Sequence, residues 1–301
     1  MSFPTWSDLN DQSLIPPLGE RYAPDLGQVA LMVSTDPDFR YIASSCSNRS
    51  TLPFFLGNLF TINSGESDIN DGNGQKVSVA GPYLGSPCAA MILESLIARG
   101  VSKVLVVGWC GAISDELKVG DILIPDAAIC DEGTSRNYME MPTDTNFPTI
   151  FPHSHFTSKV KILIKSQLAK NYKYIDKNTG LTGADDSTNR AVICKSGKIW
   201  TTDAIYRETA KKVAFFREMG AVAVEMECSA LFAVAQYRKI DIAAILVVSD
   251  SLDSPQWKPG FKEPVFKTSR KRVLNVIKDI INNLTVKQPL EAGENGEIYG
   301  N

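Results

Sequence analysis

The sequence predicts an α/β domain, a sheet with helices on both faces. Three observations carry this. Short apolar runs alternate with helical stretches along most of the chain. Two of those runs, Lys103 to Val107 and Ile242 to Val248, are almost wholly apolar, the pattern of strands buried on both faces. Glycines then punctuate the pattern, with Gly81 and Gly108 after expected strands and Gly100 and Gly220 after expected helices.

Residues 1–27 carry Pro4, Pro16, Pro17 and Pro24 and read as an extended arm. The domain is expected over 28–286, with 287–301 as a frayed tail. Gln28 to Ser34 is the first strand. Ser64 to Gln75, rich in Gly, Asn, Asp and Ser, is a loop. Lys76 to Ala80 is a strand leading into Gly81-Pro82-Tyr83-Leu84-Gly85-Ser86-Pro87. A helix follows over 87–99, since Pro87 is tolerated in a first turn and Gly100 stops it. The strand from Lys103 to Val107 ends in the glycine turn Gly108-Trp109-Cys110-Gly111. Asp121 to Pro125 is a strand, 156–170 a helix, and 171–190 a polar inserted loop. Ala191 to Lys195 is a strand, Arg207 to Met219 a helix, and Ala221 to Val224 a strand followed by a helix through Tyr237. Ile242 to Val248 is the last strand and 261–284 the closing helix.

Composition removes several function classes. A formal net charge of −3 leaves no basic excess for nucleic acid or an anionic membrane. No apolar run reaches the roughly 18 residues of a membrane span. The N-terminus lacks a basic and then apolar leader, so the expected compartment is the cytoplasm. The six cysteines form no CxxC pair and read as reduced thiols. The only two histidines, His153 and His155, have no further ligands nearby, so no metal is expected. Neither GxGxxG nor GxxxxGK[ST] occurs, which disfavours nicotinamide and nucleoside-triphosphate enzymes.

Ligands in α/β sheets bind beyond the C-terminal ends of strands. Two such ends bring glycines: Gly81 with Gly85, and Gly108 with Gly111. Two bring carboxylates: Glu225-Met226-Glu227, and Ser249-Asp250 with Asp253 beyond. A carboxylate can accept from both hydroxyls of a vicinal diol such as ribose. Against that, Glu227 could simply favour a helix N-terminus, and Asp250 could cap one. A free aspartate titrates near 3.9, so an aspartic acid proton donor at neutral pH needs a rise of about three units, roughly 4 kcal/mol. Burial and a leaving group gathering negative charge would supply it.

The segments Val107-Gly108-Trp109-Cys110-Gly111-Ala112-Ile113, Leu117-Lys118-Val119-Gly120-Asp121, Val224-Glu225-Met226-Glu227-Cys228-Ser229-Ala230-Leu231 and Val248-Ser249-Asp250 together resemble the nucleoside phosphorylase superfamily. Asp131-Glu132-Gly133-Thr134-Ser135 and Thr201-Thr202-Asp203-Ala204-Ile205-Tyr206 are similar to family segments too, and the resemblance covers about 28–284. It implies a mixed, partly closed central sheet of nine strands flanked by helices. It also implies a homo-oligomer, a hexamer built as a trimer of dimers, or a dimer. The implied reaction cleaves the N-glycosidic bond of a purine nucleoside with inorganic phosphate as acceptor and no cofactor. A nucleosidase of the methylthioadenosine/S-adenosylhomocysteine type, using water, and a non-catalytic nucleoside-binding protein are the alternatives. By motif position Glu225, Met226 and Glu227 would bind the ribose, Glu227 holding the diol. Asp250 would protonate the purine. Ile205, Tyr206, Cys110 and Gly111 would form the base site, and Gly85, Gly108, Trp109, Arg40 and Arg49 the phosphate or nucleophile region.

The sequence departs from the family at the anion site. Members hold phosphate with an arginine and a Ser or Thr around the glycine turn, where Val106 and Trp109 stand here. The early segment reads Thr35-Asp36-Pro37-Asp38-Phe39-Arg40, with its arginine shifted by one. A phosphate held away from water needs cations or many N–H donors. Arg40, Arg49, Arg136 and Arg207 are the candidates to compensate. If none does, water is the acceptor, with Asp36 or Asp38 to activate it.

Overall fold

The computed structural model describes residues 9–17, 25–46, 49–54, 56–63, 75–140, 142, 145–171, 192–254 and 256–285. Nearly all of both expected insertions, 64–75 and 171–190, and the tail lie outside the described residues. In chain order the elements are β1 (Val29–Val33), α1 (Asp36–Ser44), β2 (Ser50–Leu52), β3 (Asn58–Asn63), β4 (Lys76–Gly81), α2 (Ser86–Ile97), β5 (Lys103–Ala112), β6 (Ile122–Asp131), β7 (Thr149–Ile150), α3 (Ser154–Asn171), β8 (Cys194–Thr202), α4 (Ala210–Glu218), β9 (Ala221–Glu225), α5 (Cys228–Arg238), β10 (Asp241–Ser251), β11 (Lys258–Pro259) and α6 (Pro264–Thr285).

The eleven strands form one mixed sheet in the order β11-β10-β6-β8-β9-β5-β1-β4-β3-β2, with β7 on β6 and an added β10–β5 pairing. That last pairing closes β10, β6, β8, β9 and β5 into a ring and leaves β1, β4, β3 and β2 as an open wing. The expected mixed, partly closed sheet flanked by helices is therefore present. It has two more strands than the nine implied, and β7 and β11 are two-residue strands.

Side chains alternate across each strand. From β5, Val104, Val106, Cys110 and Ala112 enter the layer with α2 and α5, while Leu105 and Val107 enter the layer with α1, α3 and α6. β10 divides likewise: Ile242, Ala244, Leu246 and Val248 on one side, Ala243, Ile245 and Val247 on the other. This double burial is why both strands are so apolar. Helix α5 is buried through Cys228–Ala235, which accounts for its Ala- and Ser-rich sequence.

The expected glycine turn after Val107 is not a turn, because β5 continues to Ala112. Its first half pairs with β1 up to Val33↔Val107, and its second half with β9 from Gly111↔Val224, while β10 follows it along its length. Gly108 sits where the strand leaves the wing for the ring. A Cβ there would lie 2.6 Å from Ser34 Oγ, so a larger residue would have to push that side chain aside. β6 and β8 also run beyond their expected ends, and β8 begins at Cys194 instead of Ala191. The six cysteines are free thiols.

Candidate functional site

The four expected strand ends meet, with Gly85 bonded to Glu227 and Gly111 beside Asp250 and Val224, but their residues divide into structural and open groups. Glu225, at the end of β9, is structural. Its Oε1 accepts from the Thr201 hydroxyl at 2.5 Å, and its Oε2 accepts from the backbone N–H groups of Glu227 and Cys228, each at 2.7 Å. The carboxylate thus satisfies the first free N–H groups of α5 and ties β8 to them. Burial raises its carboxyl above the ordinary range, and these donors oppose the rise. The Glu225 carboxylate, expected at the ribose, already accepts three hydrogen bonds from the protein.

Glu227 is different. Its Oε1 accepts the Gly85 N–H at 2.6 Å, across the cleft from the β4–α2 loop. Gly85 has φ +81°, a conformation that glycine adopts without strain, and it turns its N–H toward the carboxylate. Ser86 Oγ–H donates to the Met226 carbonyl at 2.8 Å, so the two loops are joined twice. Burial pushes the Glu227 carboxyl up to about 8, Glu225 adds to the rise, and backbone hydrogen bonds from Gly85 and Met226 oppose it.

Asp250 lies in β10 beside Gly111. A Cβ on Gly111 would stand 3.2 Å from Asp250 Oδ2 and 2.9 Å from Leu252 Cδ1, so glycine lets the two strands approach closely here. The Ser249 hydroxyl donates to Oδ1 at 2.6 Å, and the exposed Trp257 donates Nε1–H to Oδ2 at 2.8 Å. Cys110, expected in the base site, is 3% exposed, and its thiol is pushed well up by burial and by the Asp250 and Glu225 charges. It is a core residue, because alternation along β5 turns it toward α2 and α5. Ile205 and Tyr206 lie on a short 3-10 turn, Ile205–Arg207, at the rim. They are 51% and 97% exposed, so they do not enclose a base within this chain.

In the expected anion region the side chains around Trp109 are paired with one another. Val106 is buried in the core. The Trp109 indole N–H donates to Asp38 Oδ2 at 2.6 Å, and the Thr35 hydroxyl donates to the same oxygen at 2.9 Å. Arg270, from α6, donates Nε–H and Nη2–H to Asp38 Oδ1 at 2.8 and 2.5 Å. Its guanidinium lies over the Trp109 ring at 4.8 Å and over Phe266 at 5.5 Å. Asp38 is 1% exposed and accepts from four donors, so it has no free lone pair with which to activate water.

Of the four arginines expected to compensate, two have partners within the chain and two are exposed. Arg40 pairs with Asp36 one helical turn away, with 78% of its side chain exposed. Arg49 donates to the carbonyls of Ala43 and Cys46 and closes the C-terminal end of α1. Arg136 and Arg207 are exposed. Sequence reasoning missed Arg270, which stands 232 positions from its partner with no local motif around it. It also missed Glu208, directly after the rim turn. Burial, then the Asp250 charge, push the Glu208 carboxyl up to about 7, with Lys212 opposing.

Among the described residues no helix is long and apolar enough to cross a membrane. The purine nucleoside phosphorylase from Toxoplasma gondii, solved with immucillin-H, shares this fold. Its TM-score is 0.66 at 18% identity, over 91% of this chain and 98% of that one. DeoD-type purine nucleoside phosphorylases from Bacillus cereus and Bacillus mycoides are each 29% identical over 180 residues, 60% of this chain. The matched region spans 65% of the length of those relatives. The family described as the phosphorylase superfamily matches residues 28–282, and the chain belongs to it.

Proposed function

We propose that the protein cleaves the N-glycosidic bond of a purine-type nucleoside. Glu227 takes the ribose hydroxyls, Met226 packs against the sugar, and the base extends toward Asp250 and the turn that carries Ile205 and Tyr206. The observation that carries this reading is the split between the two glutamates. Glu225 is consumed by helix α5 and Thr201, while Glu227 is held by the Gly85 N–H on Oε1 and keeps acceptor capacity for hydroxyls. A second copy of the chain would cover Leu84 and Tyr206, 76% and 97% exposed, and so complete the rim.

The acceptor we propose is water. A phosphate dianion in this cleft would face the buried Asp38 carboxylate and the bulk of Trp109, with Arg270 already held by Asp38. Phosphate is the second reading, favoured by the DeoD-type relatives, which are named phosphorylases.

Base release from a nucleoside panel, including 5′-substituted adenosines, tests both, with and without phosphate and with the sugar product identified by mass. The expected result is free sugar in phosphate-free buffer and no stimulation by added phosphate. Strict phosphate dependence with ribose 1-phosphate formed would establish the second reading. Tight nucleoside binding without base release in either buffer would leave a binding protein.

A further inference from the structure

We infer that Trp257 supplies the aromatic wall of the base site: a planar base takes the place of its indole N–H at Asp250, and the freed ring packs on the face of the base. This deepens the N-glycosidic reading above and rests on it.

The argument begins with what holds Asp250. On Oδ1 stands the Ser249 hydroxyl at 2.6 Å, which also lies 3.2 Å from the Cys110 carbonyl. Ser249 is buried and belongs to β10 itself, so it stays where the sheet puts it. On Oδ2 stands the Trp257 indole N–H at 2.8 Å. Trp257 comes directly before β11, whose Lys258 and Pro259 pair with Ser251 and Asp250. That short antiparallel pairing sets the indole beside the carboxyl. The side chain is nevertheless 58% exposed. Of the two partners of Asp250, the indole is the one that can yield without breaking the sheet.

The surroundings of Trp257 suit a flat ligand. Its ring centroid is 6.2 Å from that of Phe261, which is 41% exposed, and Phe261 is 6.2 Å from Trp109. These are ordinary distances for packed aromatic rings. A row of rings therefore runs from Asp250 to Trp109 in the expected anion region. Ile205 and Tyr206 remain exposed at the rim, whereas Trp257 is the ring that a hydrogen bond places at Asp250. A base edge that approaches Asp250 meets the indole, and an apolar ring left in water gains by covering the base. Stacking of this kind recognises the face of a base and needs no charge.

Steady-state base release from adenosine and inosine tests this with two variants. Trp257→Ala removes the ring and the N–H, while Trp257→Phe removes the N–H and keeps a ring. The ring role predicts that Trp257→Ala raises KM by about ten- to a hundred-fold and that Trp257→Phe restores most of the loss. If Trp257 only holds Asp250 in place, both variants lower kcat alike and leave KM unchanged. That result overturns the proposal, and so does wild-type behaviour of both variants.

A second measurement needs no turnover. Adenosine or inosine added to the intact protein should move the tryptophan emission to shorter wavelength and shield it from acrylamide, as Trp257 passes from water to the base. Both changes should vanish in Trp257→Phe, and changes that persist there refute the assignment. Base release without this signal overturns the present proposal alone. The signal without base release from any nucleoside overturns the N-glycosidic reading and leaves Trp257 as a base-binding residue. Absence of both overturns both.

Discussion

Replacing Glu227 by glutamine is expected to cut kcat/KM for nucleoside cleavage by at least about a hundred-fold, through loss of its hydrogen bonds to the diol. Glutamine can still accept the Gly85 N–H through its carbonyl oxygen. Its amide then presents donors to hydroxyls that need an acceptor. The same change should stabilise the empty protein at pH 8. The Glu227 carboxyl, raised from an ordinary 4.5 to about 8 by burial and by Glu225, binds its proton more tightly folded than unfolded. Between those values the folded state holds more protons, so stability falls as pH rises. The contribution is complete below 4.5 and lost on passing 8. The loss is of order a few kcal/mol across that window. Urea unfolding at pH 5 and pH 8 checks it: the wild type should lose stability toward pH 8 more steeply than Glu227→Gln. Equal slopes would mean that Glu227 is an ordinary exposed carboxylate.

Arg270→Ala is expected to destabilise the protein by about 3–5 kcal/mol, the usual cost of leaving one half of a buried pair uncompensated. Asp38 would keep the Trp109 and Thr35 donors but lose both guanidinium hydrogen bonds, at 1% exposure. The loss should appear as a melting temperature lower by roughly 10 °C. Asp38→Leu combined with Arg270→Met should recover most of it, since apolar replacement of both partners is often neutral. The outcome also bears on the acceptor. If Arg270 serves phosphate, its loss should raise the KM for phosphate and leave stability nearly untouched. If it serves Asp38, stability falls and phosphate has no effect to lose.

The order of strands and helices was largely legible because β5 and β10 are apolar on both faces and the helices after β4 and β9 end at glycine or in polar residues. The expected ends were less so. β5 was expected to stop at Gly108, where glycine signals a turn, yet a third neighbour extends it to Ala112. Helix α1 and the strands β2 and β3 were not anticipated. β2 is the edge strand with mostly exposed residues and β3 lies between it and β4, and neither carries a long apolar run.

The site divides in the same way. The strand ends that bear carboxylates were legible in the sequence, and the resemblance of its motifs pointed to the family and to a missing arginine and Ser or Thr around Trp109. Spacing could not distinguish Glu225 from Glu227. Both are glutamates one residue apart, and only the N-terminus of α5 and the Thr201 hydroxyl decide which one is spent. Nor could it find Arg270 or Glu208. A buried ion pair between α1 and α6, and a carboxyl raised by burial and then by an anion from another element, depend on distances that only the closed sheet creates. Local chemistry is written along the chain, whereas the partner that completes a buried charge is set by tertiary packing.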